Sequence, residues 1–191
     1  FRSARHVPLS AVEESTATDP GEGSSTPDRP GRVLGIAGSA SPVTREQVDA
    51  VPDDRVCRLD AALAARDPEG AASAAVEACR DVLETAGVAL LASATDPSDV
   101  ESAIAAGQDA GVAEERVRER VSRALALTVA RLHDDAPIDG LFLTGGAVAG
   151  AVLAELDAAG VRLTGQAVES GVPVGEIVAG RADGTPVVTK A

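Results

Sequence analysis

From residue 32 onward, short apolar runs alternate with amphipathic stretches, and each pair reads as a strand followed by a helix. The first run, RVLGIAG at 32–38, is long enough for a buried strand, and Pro42 and Thr44 then mark the start of a short helix. DRVCRLD at 54–60 predicts a second strand. Residues 69–86 place Ala72, Val76, Cys79, Val82 and Leu83 on one helical stripe, and GVALLASA at 87–94 predicts a third strand. After the turn signal TDPSD, Ser98 or Asp99 is expected to cap a helix running to about Gly107. A long amphipathic helix follows at 112–134, with Val117, Val121, Leu125, Val129 and Leu132 three or four residues apart. DGLFLT at 139–144 predicts a fourth strand, and the helix after Gly145-Gly146 is expected to close on Gly160. Then the period changes. VRLTGQAVE, GEIVAGRADG and TPVVTK predict short strands joined by glycine turns, with Ala182-Asp183-Gly184 at a hairpin tip.

This rhythm predicts a three-layer α/β fold: an open, mostly parallel sheet with helices on both faces, and a β-rich C-terminal segment adding strands at one edge. Residues 9–30 are Ser, Thr, Pro, Gly and acid with almost no large apolar side chain. Residues 1–31 are therefore read as a linker or the remnant of an upstream domain, and 32–191 as one domain. The chain begins at Phe1, contains no methionine and ends on Lys190-Ala191 just after an apolar run, so it is read as a fragment truncated at its C-terminus. No stretch approaches the roughly eighteen continuous apolar residues of a membrane span, and no basic-then-apolar leader is present. The expectation is a cytoplasmic protein without a membrane partner.

Charge narrows the partners. Thirty acidic residues against seventeen basic ones give a net charge of -13, which argues against binding nucleic acid. Lys190 is the single lysine, aromatics make up 1%, and alanine is abundant; this composition resembles that of salt-adapted archaea. Cys57 falls in a strand and Cys79 on a helix face, far apart in sequence and outside any CxxC, so both are expected to be buried free thiols. His133 ends the long helix, where a cation would interact favourably with the dipole. The charge run EERVRERVSR at 114–123 predicts i,i+4 pairs on a solvated helix face. No Ser-His-Asp set, carboxylate pair or metal-ligand cluster can be assembled, so neither a catalytic residue nor a metal site is expected here.

Ligands on open parallel sheets bind beyond the carboxyl ends of the strands. Those ends here carry Gly38-Ser39-Ala40-Ser41, Asp60, Ser93-Ala94-Thr95 and Thr144-Gly145-Gly146, all small or hydroxylic apart from Asp60. The Gly145-Gly146 turn has two readings: a steric strand-to-helix turn, or one whose free N–H groups and helix dipole face an anion. It has neither a Walker lysine nor a GxGxxG pattern. Asp60 lies roughly where a dinucleotide fold holds the acid for a ribose 2′-OH, but a strand-end aspartate in solvent explains it as well. Lys190, one lysine among arginines after a β run, reads either as a phosphate contact or as chance.

Three motifs in order, GIAGSASPVTREQVDA, DGLFLTGGAVAGAVLAEL and VESGVPVGEIVAGRADGTPVVTKA, resemble the C-terminal nucleotide-binding domain of the four-carbon acid sugar kinases, the threonate and erythronate kinases and their relatives. The resemblance covers about 32–191. It implies that Ser39 and the Gly145-Gly146-Ala147-Val148 turn contact ATP, that Gly171-Val172-Pro173 shapes the adjacent loop, and that Gly38, Thr144 and Lys190 lie near the nucleotide. It also implies Mg2+ as cofactor and a sugar-acid substrate held by an N-terminal domain; a homo-oligomer is compatible with it. At the turn the family usually has GGDT or GGET, whereas Ala147 and Val148 stand here. Backbone donation survives that change and two side-chain hydrogen bonds do not. Two alternatives follow: a degenerate scaffold or regulatory domain of the same fold, and an NAD-binding oxidoreductase domain using Asp60.

Overall fold

The computed structural model describes residues 31–38, 41–169 and 172–190. Seven strands form one sheet: β1 (Val33–Ala37), β2 (Val56–Arg58), β3 (Val88–Ala92), β4 (Gly140–Thr144), β5 (Gly160–Glu169), β6 (Val172–Val178) and β7 (Pro186–Lys190). Their spatial order is β2-β3-β1-β4-β7-β6-β5. The first five in that order run parallel, while β6 pairs antiparallel with both β7 and β5. The β-rich C-terminal segment thus extends the sheet at one edge. The expected linker at 1–31 lies outside the described residues apart from Gly31.

Among the described residues six α-helices connect the strands: α1 (Pro42–Asp49), α2 (Ala61–Arg66), α3 (Pro68–Ala86), α4 (Pro97–Asp109), α5 (Glu114–Asp135) and α6 (Gly146–Glu155). Alternation along the strands sends Leu34, Ile36, Leu91, Leu141 and Leu143 to one face, where they form the main core with Cys79, Leu83, Leu125, Val129 and Val152 from α3, α5 and α6. On the other face Val48 of α1 packs on Ala37 and Ala92, at the carboxyl ends of β1 and β3. The amino ends of that face remain open, with Val33 and Val88 37% and 41% exposed. Helices therefore lie on both faces, unequally.

Three boundaries differ from the sequence reading. Residues 61–66 form α2, an alanine-rich helix with no marked apolar period, capped by Asp60. Helix α4 starts two or three residues earlier than expected: Asp96 is its cap, and Asp99 is the third helical residue, closing a capping box. Helix α6 ends at Glu155, where Asp157 supplies the left-handed residue (φ 56°), and Gly160 instead opens β5. The β6–β7 turn is where it was expected, with Gly184 at φ 79° and the Asp183 carboxylate accepting from the Ala179 N–H at 2.6 Å.

Candidate functional site

Strands β1 and β4 are adjacent and in register, Ala37 beside Thr144, so Gly38 and Gly145 leave the sheet side by side. Gly145 adopts φ 98°, ψ 121°, a conformation open to glycine. Its N–H donates to the Lys190 carbonyl at 2.8 Å, and its own carbonyl accepts from Ala149 at 3.0 Å. Helix α6 therefore begins at Gly146 with no side-chain cap. The N–H groups of Gly146, Ala147 and Val148 precede the first intrahelical bond and have no acceptor in the helix. With the positive end of the dipole, they form a donor cluster suited to an anion.

The two glycines at this junction are glycine for different reasons. A Cβ on Gly38 would lie 2.1 Å from Val148 Cγ2 and 3.1 Å from Leu125 Cδ1, so packing excludes one. Gly146 is exposed, and a Cβ there would meet nothing within 4 Å. Val148, only 3% exposed, turns down onto Gly38, while Ala147 stays exposed.

Above this junction lies a cleft of about 390 Å³. Gly38, Ser93 and Ala94 form part of its base, Val100 and Ile104 of α4 one wall, and Val117 and Val121 of α5 another. Gly107 sets the approach of those helices, since a Cβ there would be 2.5 Å from Val117 Cγ2. The carboxylate in the cleft, Asp99, is engaged: its Oδ2 accepts from the N–H groups of Thr95 (2.8 Å) and Asp96 (2.9 Å). The Thr95 and Asp96 N–H groups together hold it in the capping box; the Asp96 carboxyl is held below its usual range by the Ser98 hydroxyl and N–H. An apolar slot that opens onto three backbone donors suits a flat apolar group carrying an anionic tail.

The other sequence-derived candidates separate around this cleft. Thr144 is buried at the end of β4, next to Lys190 in register on β7. Lys190 reaches the turn through its carbonyl, and its side chain is not among the cleft's lining groups. Ser39 and Gly171 lie outside the described residues. Asp60 lines a neighbouring cleft of about 300 Å³ and accepts from the Leu63 N–H at 2.8 Å, so it works as a helix cap.

Three further expectations meet the structure at the helices. Cys57 and Cys79 are buried free thiols in hydrogen-bond contact; that bond holds Cys57 low and, with burial, pushes Cys79 far above the ordinary thiol range. His133 accepts from the Ile138 N–H at Nδ1 (3.2 Å), which leaves Nε2 to donate to the Arg181 carbonyl (3.0 Å). His133 thus ties the end of α5 to the β6–β7 turn through both ring nitrogens. The charge run of α5 makes cross-helix contacts more than i,i+4 pairs: Arg123 meets Glu69 at 3.1 Å, and Arg120 donates to the Ala65 and Arg66 carbonyls.

Sequence reasoning missed both walls of the cleft. Val117 and Val121 continue the apolar stripe of Leu125 and Val129; Val117 is buried with Ala61, Ala65 and Ala103 in a second small core, Val121 packs against it, and both also line the cleft. The available signal was Asp96-Pro97-Ser98-Asp99 directly after β3, which starts a helix over the strand ends.

Residues 34–191 match a family described as the nucleotide-binding C-terminal domain. The D-threonate kinase of Salmonella typhimurium is 33% identical over 168 residues, which is 83% of this chain and 38% of that enzyme. The chain thus spans less than two fifths of that relative's length. Among solved structures, a Bordetella bronchiseptica domain of unknown function, crystallised with bound citrate as a domain-swapped dimer, aligns with TM-score 0.63 and 30% identity over 84% of this chain and 37% of its own. A Haemophilus influenzae protein aligns with TM-score 0.67 over 84% of this chain and 37% of its own; at 17% identity it speaks for the fold alone.

Proposed function

We propose that this chain, which belongs to the family of nucleotide-binding C-terminal domains, is the ATP-holding part of a kinase that phosphorylates a hydroxyl of a four-carbon sugar acid. The observation that carries the reading is the joining of an apolar slot to the N–H groups of Gly146, Ala147 and Val148 at the start of α6, which have no acceptor within the helix. The slot between α4 and α5 takes the adenine, and the three donors take the phosphates. Ser39, Thr144 and Gly171 belong to the same surroundings by the resemblance. The D-threonate kinase name of the relative supports a sugar-acid substrate. That substrate is held by a further domain outside this chain, because phosphoryl transfer needs donor and acceptor in line with water excluded. Self-association is part of the proposal, in keeping with the dimeric Bordetella structure.

Among the described residues the cleft supplies no cluster of ligands for Mg2+. Ala147 offers no side-chain oxygen, Oδ2 of Asp99 already accepts two backbone hydrogen bonds, and no cluster of three or more His, Cys, Asp or Glu occurs among the described residues. Mg2+ enters this reading with ATP, on the phosphate oxygens and water. The residues of this chain bind and orient the nucleotide and shield its apolar end.

One observation favours a second reading, a scaffold of the same fold that has lost its nucleotide. Val148 is committed to packing on Gly38, so the position that carries a hydroxyl in the family now serves the core. Calorimetric titration of the chain with ATP, ADP and NAD separates the readings. Saturable binding of ATP and ADP, and not of NAD, supports the kinase half; no binding to any of them supports the scaffold. Binding of NAD alone would revive the oxidoreductase alternative.

A further inference from the structure

Five arginines project from α5, and four of them have partners. Arg116 meets Glu119 at 3.7 Å, Arg120 donates to two carbonyls of α2 at 3.0 and 3.1 Å, and Arg123 and Arg131 both bind Glu69. Arg118 has no hydrogen-bond or ion-pair partner among the described residues. Glu114 and Glu115 stand four and three positions before it, the spacing at which a helical ion pair forms, yet neither pairs with it. Arg118 lines the cleft described above, and it is the cation among that cleft's lining residues.

Resting on the nucleotide reading, we infer that Arg118 is the side-chain contact for the nucleotide's phosphate chain. A chain with net charge -13 repels a polyanion, and Asp99 adds to that repulsion inside the cleft. The α6 donors are neutral amides, and the Ala147 and Val148 side chains bring no polar atom. Along α5, Leu125 packs beside Gly38 under α6, and Arg118 stands two turns, about 10 Å, farther out. The α6 donors and the Arg118 guanidinium thus line one cleft. A guanidinium held free of carboxylates, in a protein with acids to spare, is available for a bidentate bond to phosphate.

The test compares adenosine, AMP, ADP and ATP binding to wild type, Arg118→Ala and Arg118→Lys, at low salt and in molar KCl. Arg118 is exposed, so all three proteins should melt alike. The expected result is a roughly tenfold loss of ATP affinity in Arg118→Ala, a smaller loss for AMP, and none for adenosine. Lysine should restore part of the loss, and molar KCl should shrink it. ATP binding to Arg118→Ala equal to wild type would overturn the inference and leave the nucleotide reading standing. An equal loss for adenosine and ATP would overturn it in favour of stacking on the base. A wild type that binds neither ADP nor ATP would refute the nucleotide reading and this inference with it.

Discussion

Gly145 and Gly146 adjoin in sequence, yet their missing side chains matter in different ways. Gly145 holds φ 98°, where a Cβ crowds the backbone, so Gly145→Ala should cost about 1–3 kcal/mol of stability in chemical denaturation. Gly146 has open space at its Cβ position. Gly146→Val should therefore fold with a nearly unchanged denaturation midpoint and lose ATP binding, because its side chain would stand where phosphate approaches the helix start. A Gly146→Val protein that binds ATP normally would reduce the turn to a steric device. Gly38 is held by its neighbour: Gly38→Ala should cost about 1–3 kcal/mol through overpacking, and adding Val148→Ala should recover much of it. Additive costs in that double-mutant cycle would contradict direct packing between the two residues.

At the scale of elements, caps decide where helices begin. Asp60 accepts from Leu63 and Asp96 from Ser98, each closing the first turn of a helix. Asp60→Ala should lower stability by about 1 kcal/mol and leave nucleotide binding intact; a loss of NAD or ATP binding with unchanged stability would restore its ribose role. Much at this scale was legible in the sequence. The stripe at 69–86 gave α3 nearly to the residue, since its apolar spacing and its flanking Asp67-Pro68 and Gly87 agree. Helix α2 escaped because six alanine-rich residues have no period to read. Gly160 was mistaken for a helix end because a glycine after an alanine-rich run looks the same as one opening a strand. Of the site, the turn at Gly145-Gly146 was legible because its conformation is local. The cleft walls were not, because which part of the Val117–Val129 stripe faces the core depends on where α4 and α2 pack, and those contacts are nonlocal.

For the whole molecule, charge sets the conditions. Thirty acids against seventeen bases leave a self-repelling surface, and the described ion pairs are mostly exposed. Salt screens that repulsion within a few ångströms at molar strength, so the melting temperature should rise from low salt to molar KCl. A flat or falling melting temperature over that range would remove salt adaptation from the picture. The sheet order brings β1 and β4 together at the centre, and with them the start of α6, the ends of the neighbouring strands and the wall of α5. The central claim is that this junction holds the phosphates. Backbone amide NMR of the isotopically labelled chain, titrated with ATP, tests it directly. The expected result is that the largest shifts fall on the amides of Gly146, Ala147 and Val148, with smaller ones along Val100, Ile104 and Val121. Shifts centred elsewhere, or none at millimolar ATP, would contradict it.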